Sequence, residues 1–302
     1  MNRKNAHPKR DSTKRGPRAS AGEEFEPSGI RLGADSISWR VNREAVLLLG
    51  GGRALLMQIA HPLVAAGVAE YSNFKNDPLG RLQRTLDTMF SLTFGSRKEV
   101  RAACARINSV HATVHGKLSR PSPGFPAGTP YDARDPALLL WVHATLVDTA
   151  MLVYGRYVRE LSALERERYY QESKEHTALF GIPGSLVPKD AERFRAYVHE
   201  MTEHGPVRVS ATARELAASI LNPAVPLAYS WAFRLLNFVT TGLLPPKLRA
   251  GFGLPWSPAR QLLFDGSSAV IRRLMPLLPD LVRAVPASRK AERDWSHSSW
   301  RG

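Results

Sequence analysis

One cysteine, Cys104, stands in 302 residues, which excludes an intramolecular disulfide and a thiolate-rich zinc site. A reducing, cytoplasmic compartment is the expectation. Long apolar runs are also scarce. The two longest, Ala54–Ala69 and Ala137–Val153, are broken by Gln58, His61 and Pro62 in one and by His143 and Asp148 in the other. A bilayer span asks for about 20 almost uncharged residues, so both runs read as helices buried in a soluble domain and no transmembrane segment is expected. The first 38 residues lack the apolar core of about 7–15 residues that a secretory signal uses, and export by that route is not expected. No window sustains period-two alternation flanked by hairpin turn pairs, which argues against a β-rich fold.

Acidic residues are the minority: 27 Asp and Glu against 42 Lys and Arg leave a net charge of +15. Such a balance suits nucleic acid, an anionic surface or an acidic ligand. Its distribution narrows the choice. Arg3, Lys4, Lys9, Arg10, Lys14, Arg15 and Arg18 face Asp11 alone, so +6 of the +15 lies in residues 1–20, a polar stretch with Pro and Ser. Residues 1–38 are therefore expected to be a disordered basic tail able to make weak contact with an anionic surface, with no specific nucleic-acid partner.

From Trp39 onward the apolar spacing is helical almost throughout. It predicts helices over 41–59, 62–71, 78–94, 97–118, 135–160, 163–179, 188–204, 209–221, 226–241 and 257–275. Asn76-Asp77-Pro78, Gly95-Ser96, the Pro/Gly-rich stretch 121–130, Asp135-Pro136 and Gly181-Ile182-Pro183-Gly184 supply the breaks. The expected fold is all-α, a single multi-helix domain over 39–286, with 287–302 as a loose C-terminal tail.

Chemistry-bearing residues cluster in the apolar half. His7 and His297 fall in tails, and His176, His199 and His204 lie in polar helical surroundings, which predicts solvated rings. His61, His111, His115 and His143 remain. Val100, Ala103/Cys104, Ile107 and His111 share a stripe, as do Leu139/Leu140, His143 and Leu146/Val147, so His111 and His143 point inward. An inward imidazole is most often a satisfied core residue, needing one donor and one acceptor. Two on neighbouring helices raise the case for a ligand site. His111 and His115 also stand at i,i+4, a weak metal pair without the glutamate of a zincin motif.

On 78–94, Leu82, Leu86, Met89 and Phe90 form the apolar face, and Arg81, Arg84, Thr85 and Thr88 line the strip beside it. That strip is either a solvated edge paired with carboxylates such as Asp87, or a site for an anion or oxygen ligand. Gly50-Gly51-Gly52 lacks the strand and the Gly-Lys-Ser/Thr of a phosphate loop. Three glycines in a helical pattern point to a close helix approach, a flat ligand or a break. Glu165-Arg166-Glu167-Arg168 reads as a self-paired solvated face.

These segments together resemble the catalytic domain shared by the fungal ER-bound oxygenase MpaB and rubber oxygenase (latex-clearing protein). The likeness is carried by Arg43-Glu44-Ala45, Gly51 through Pro62, Arg81-Leu82-Gln83-Arg84-Thr85, His111-Ala112-Thr113-Val114-His115-Gly116, Tyr131-Asp132-Ala133, Asp135 through Leu146, and Glu165 through Tyr170. The resemblance implies a globin-like core holding haem b. It implies that His111 is the iron's protein ligand, that Arg81, Arg84 and Thr85 line the catalytic side, and that His143 and His61 support the cofactor. Arg84 stands where rubber oxygenases carry a lysine that can ligate iron. A guanidinium stays protonated, so the resemblance then implies an open or water-filled sixth position.

The implied activity is that of a haem-dependent oxygenase, using dioxygen on a small hydrophobic, isoprenoid or natural-product substrate. Two alternatives belong to other classes: a haem carrier or sensor without turnover, and a helical nucleic-acid binder driven by charge, which predicts steeply salt-dependent binding without haem.

Overall fold

The apolar stripes fold as a set of packed helices in the computed structural model, which describes residue 33 and residues 35–71, 78–223 and 230–298. For residues 78, 79, 81, 82 and 295–298 it describes the backbone alone. The chain runs through α1 (Ile37–Asn42), a 3₁₀ turn (Ala45–Gly50), α2 (Gly51–Ala60), α3 (Pro62–Tyr71), α4 (Pro78–Phe94) and α5 (Arg97–Thr113). A short hairpin follows, β1 (His115–Lys117) and β2 (Pro130–Asp132), pairing His115 with Asp132 and Lys117 with Pro130. Then come α6 (Pro136–Tyr157), α7 (Ala163–Leu179), α8 (Ala191–Glu203), α9 (Ala211–Leu221) and α10 (Ser230–Leu243). The chain continues through α11 (Pro246–Gly251), α12 (Pro258–Leu274), a 3₁₀ turn (Met275–Leu277), α13 (Asp280–Arg283) and α14 (Pro286–Ser298). The all-α expectation holds.

Helix α6 is the axis of the core. Asp135 starts it by accepting from Ala137 N–H at 2.8 Å, with Pro136 in the first turn, where its missing N–H costs nothing. Trp141, Ala144, Val147 and Tyr154 bury one side of it against Leu56, Met57 and Ile59 of α2, Tyr170 of α7 and Phe194 of α8. Trp141 is fully buried and its indole N–H donates to the Met57 carbonyl at 3.1 Å, satisfying the one polar atom of the ring. Among the described residues α6 is the one helix long and apolar enough to cross a bilayer by itself, and half of its apolar window is buried against the rest of the chain.

The three glycines mark a close helix approach. A Cβ on Gly50 would sit 2.6 Å from Thr149 Cγ2, and one on Gly52 would sit 2.2 Å from Thr240 Oγ1. Helices α6 and α10 therefore press on the start of α2 from two sides. Beside this crossing, Arg53 is buried and spans three elements. It donates to Asp148 at 2.6 Å, to Thr149 Oγ1 at 2.5 Å and to the Leu243 carbonyl at 2.9 Å.

Several boundaries differ from the periodic pattern. The stretch 41–59 divides into α1, a 3₁₀ turn and α2, because Gly50–Gly52 and the buried Glu44 interrupt it. After His61, whose backbone is extended as a residue before proline must be, α3 turns away by 106° from the preceding pair. Helix α5 stops at Thr113 instead of reaching 118. Strands of three residues are too short to show alternation, which is why the hairpin escaped the periodicity reading.

The expected C-terminal tail from 287 is helical to Ser298. Val285 and Ala291 pack on Trp39 and Phe94, and Trp39 Nε1 donates to Glu292 at 2.9 Å. Arg283 meets the buried Glu44 through bonds of 2.7 to 3.0 Å. Polarity of composition hid this docking, because a few apolar residues and one bidentate pair fix it. At the other end, Ile37 and Ser38 are already buried in α1, whereas residues 1–32 and 299–302 lie outside the described residues.

Candidate functional site

Helices α4 and α5 form a two-helix arm joined at Gly95-Ser96. Ser96 opens α5 through a capping box: its hydroxyl accepts from Glu99 N–H, and Glu99 Oε2 accepts from Ser96 N–H at 2.7 Å. Leu92, Ala103 and Cys104 form a small core, with Met89, Val100 and Ile107 of the arm and Leu179 and Phe180 from the end of α7 beside them. Burial raises the Cys104 thiol above its ordinary pKa, so it stays protonated.

Arg81 and Arg84 lie before the joint about as far as Ile107 and His111 lie after it, so the arm carries all of them to its open end. Arg84 and Thr85 are exposed; the Arg81 side chain lies outside the described residues. His111 is half-buried while its neighbours Val110 and Ala112 are exposed, so it faces inward as its stripe predicts. Burial lowers its pKa, against the opposing pull of Asp132, and the ring is neutral at pH 7.

The hairpin follows this end in the chain and packs against α3. His115 lies exposed in β1, beyond the helix, where its carbonyl accepts from Tyr71 O–H at 2.9 Å. The end of α5 thus dissolves the His111/His115 pair, and no helical metal pair exists there. Tyr131 of β2 donates a short hydrogen bond to Glu70 of α3. His61 stands at the α2–α3 corner, buried, with its Nδ1 accepting from Leu63 N–H at 3.3 Å and its ring 5.8 Å from that of Phe125. Burial takes its pKa down to about 4, only partly offset by Asp135. His61 and His111 therefore approach the same hairpin, His111 feeling the carboxylate of Asp132 at the end of β2 and His61 that of Asp135 just after it. Asp132 itself is held at about 2 by hydrogen bonds from Arg134.

His143 belongs to a second group. It faces the interior from α6, and burial, reinforced by His176 of α7, drives its pKa to about 3. Its Nε2 is buried and finds no hydrogen-bond partner among the described residues. His176, expected to be solvated, is withdrawn between α7 and α4, with Nε2 3.4 Å from the Leu92 carbonyl and its pKa lowered by burial. Its polar sequence neighbours concealed that position. His199 and His204 are exposed as expected.

The Glu165–Arg168 run is also used differently from its expected self-pairing. Glu165 caps α7 and binds Arg159 at 2.6 Å and Arg40 at 3.2 Å, while Glu167 accepts from the Ala191 N–H that opens α8. Arg53, Glu44 and Tyr131 stand in segments that carry the family likeness, but the sequence assigned none of them a role of its own.

This all-α chain belongs to the family described as ER-bound oxygenase mpaB/B'/Rubber oxygenase, catalytic domain, whose model matches residues 39–273. It is an oxygenase-family catalytic domain, which implies a substrate and oxygen. Two relatives are an uncharacterized protein of Mycobacterium bovis, Mb2261, and an uncharacterized protein of Mycobacterium tuberculosis, Rv2237. Each is 29% identical over 237 residues, spanning 74% of this chain and 87% of the relative. No solved structure is significantly similar to the chain.

Proposed function

We propose that this protein is a haem b-dependent oxygenase that uses dioxygen on a small hydrophobic substrate in the cytoplasm, with His111 as the protein ligand of the iron. Family membership across 39–273 carries the reading. The donor set supports it. Among the described residues no group of three His, Cys, Asp or Glu is placed to hold a bare metal ion, but a macrocycle supplies most of an iron's ligands and asks the protein for one neutral imidazole. His111 has that protonation state, and the unpartnered Nε2 of His143 shows an interior polar atom left for something else to satisfy.

In this reading the globin-like arrangement is formed by the α4–α5 arm against the body. His111 holds the cofactor, Arg81 and Arg84 neutralise its propionates or orient an anionic group, and Thr85 offers a hydrogen bond. His61 and His143, both held neutral, support it from behind. Activation of dioxygen is the chemistry such a haem supplies when bound. The protein's share is to exclude water and to orient an apolar substrate.

The test is an absorption spectrum of the purified protein before and after addition of haemin. A Soret band at one haem per chain is expected, with dioxygen consumption once a lipophilic alkene and a reductant are added. A protein that stays colourless and takes up no haemin overturns the proposal. Stoichiometric haem with no dioxygen consumed across alkene substrates would make it a carrier or sensor.

A further inference from the structure

Helix α12 has two apolar stripes where a surface helix needs one. Phe264, Ser268, Ile271 and Met275 follow helical spacing and face inward, where Phe264 packs with Phe238, Trp256 and Tyr157. Leu263, Val270 and Leu274 repeat at seven and four residues along a second line, and all three are more than half exposed. The 3₁₀ turn and α13 continue this apolar edge. Leu277 is 77% exposed and Leu281 71%, with Leu278 and Val282 beside them in sequence. Prolines at 276 and 279 hold the turn open. So large a run of exposed leucines and valines marks a surface made to be covered. The family match ends at residue 273, so the outermost part of the edge lies beyond it.

Charge indicates the cover. Residues 257–290 contain Arg260, Arg272, Arg273, Arg289 and Lys290, with Arg283 already held by Glu44, against Asp265 and Asp280. Both acids are already held by arginines of other elements, Asp265 by Arg156 at 2.8 Å and Asp280 by Arg43 at 3.3 Å. Arg273 is exposed immediately before the apolar turn, and Arg272, next to it, makes only a loose pair with Glu160 at 3.9 Å. A second copy of the chain would set this basic edge against another of the same sign. An anionic headgroup layer complements it, with arginines at phosphate level and leucines below.

We propose that the edge formed by Leu263, Val270, Leu274, Leu277 and Leu281 docks the protein peripherally on an anionic bilayer. This docking is independent of the haem reading and holds for the haem-free protein. It would also put the domain where lipophilic molecules concentrate.

The experiment is co-sedimentation of the full chain with vesicles of phosphatidylcholine alone and of phosphatidylcholine with phosphatidylglycerol, beside the double variant Leu277→Asp/Leu281→Asp. Both proteins keep the basic N-terminal residues, so the difference between them reads the apolar edge. Wild type is expected to bind the anionic vesicles and hardly the neutral ones. The double variant should bind about a hundredfold more weakly, two leucine side chains having left the lipid. Its melting temperature should be unchanged, because neither leucine is buried. A second pair, Arg272→Glu/Arg273→Glu, should lose binding to the anionic vesicles at least tenfold. Equal binding by wild type and the leucine variant overturns the proposal and assigns lipid affinity to other basic residues. A wild-type dimer that the leucine variant dissociates, with no vesicle binding, overturns it in favour of a second copy.

Discussion

The body and the α4–α5 arm are built to different standards of packing. In the body, Leu56, Met57, Ile59, Trp141 and Tyr154 are sealed from solvent, and Arg53, a charged group buried with them, has three partners. In the arm, burial among the described side chains is confined to Leu92, Phe94, Ala103 and Cys104, and the open end exposes Arg84 and Thr85 beside a half-buried His111. Rigidity and chemistry are thus divided. The body sets the frame, and the arm presents groups whose apolar neighbours are not fully covered. Regions that receive ligands are drawn from the less stable part of a fold.

The sharpest break between the two regions would come from the histidines. His111→Ala is expected to abolish stoichiometric haem uptake while leaving the haem-free melting temperature almost unchanged, read by haemin titration and calorimetry. His143→Leu removes a buried nitrogen with no hydrogen-bond partner among the described residues, so the haem-free protein should be at least as stable as wild type. If His143→Leu lost haem and His111→Ala kept it, the ligand would belong to the body.

Arg53→Ala tests the body's polar knot. It strips Asp148, Thr149 and the Leu243 carbonyl of their donor and is expected to cost about 3–5 kcal/mol in urea unfolding. Acid should act on the body. His61 and His143 have folded pKa values of about 4 and about 3 against an ordinary 6.5, so the unfolded chain binds more protons below about pH 6.5. Stability should fall as pH drops from there towards 3. His61→Gln should flatten that profile, and a flat wild-type profile would mean that the rings are not held neutral by burial.

Gly52→Ala places a methyl against Thr240 and should cost about 1–3 kcal/mol, whereas Gly51→Ala, with open space at its Cβ position, should not. The smallest effect is Ser96→Ala, which removes the capping box of α5. A loss of about 1 kcal/mol is expected, with faster amide exchange in the arm than in α6.

Much of this was legible in the linear sequence because helical periodicity is a local property. The stripes expected on 97–118 and 135–160, the Asp135-Pro136 start and the inward positions of His111 and His143 follow from spacing alone, although α5 ends at Thr113 and α6 at Tyr157. The oxygenase family was legible for a related reason: its motifs recur in one order along the chain. Composition and local pattern misread the residues whose role depends on distant partners. His176 looks solvated until Leu92 covers it from 84 residues away. The C-terminal helix looks loose until Glu44 and Trp39 engage it. Glu165 looks self-paired until Arg40 and Arg159 arrive.

The sequence by itself determined an all-α chain, a basic imbalance, inward-facing histidines and the family to which the chain belongs, since each is set by residue type and short-range spacing. Tertiary structure alone decided that the glycine run is a three-helix crossing, that His111 and His115 are parted by the end of α5, and that Nε2 of His143 has no hydrogen-bond partner among the described residues. It alone also decided that one edge of α12 stays uncovered. The physical reason is common to all four. Burial and hydrogen-bond satisfaction depend on which surfaces meet, and that is settled by packing between elements far apart in the chain.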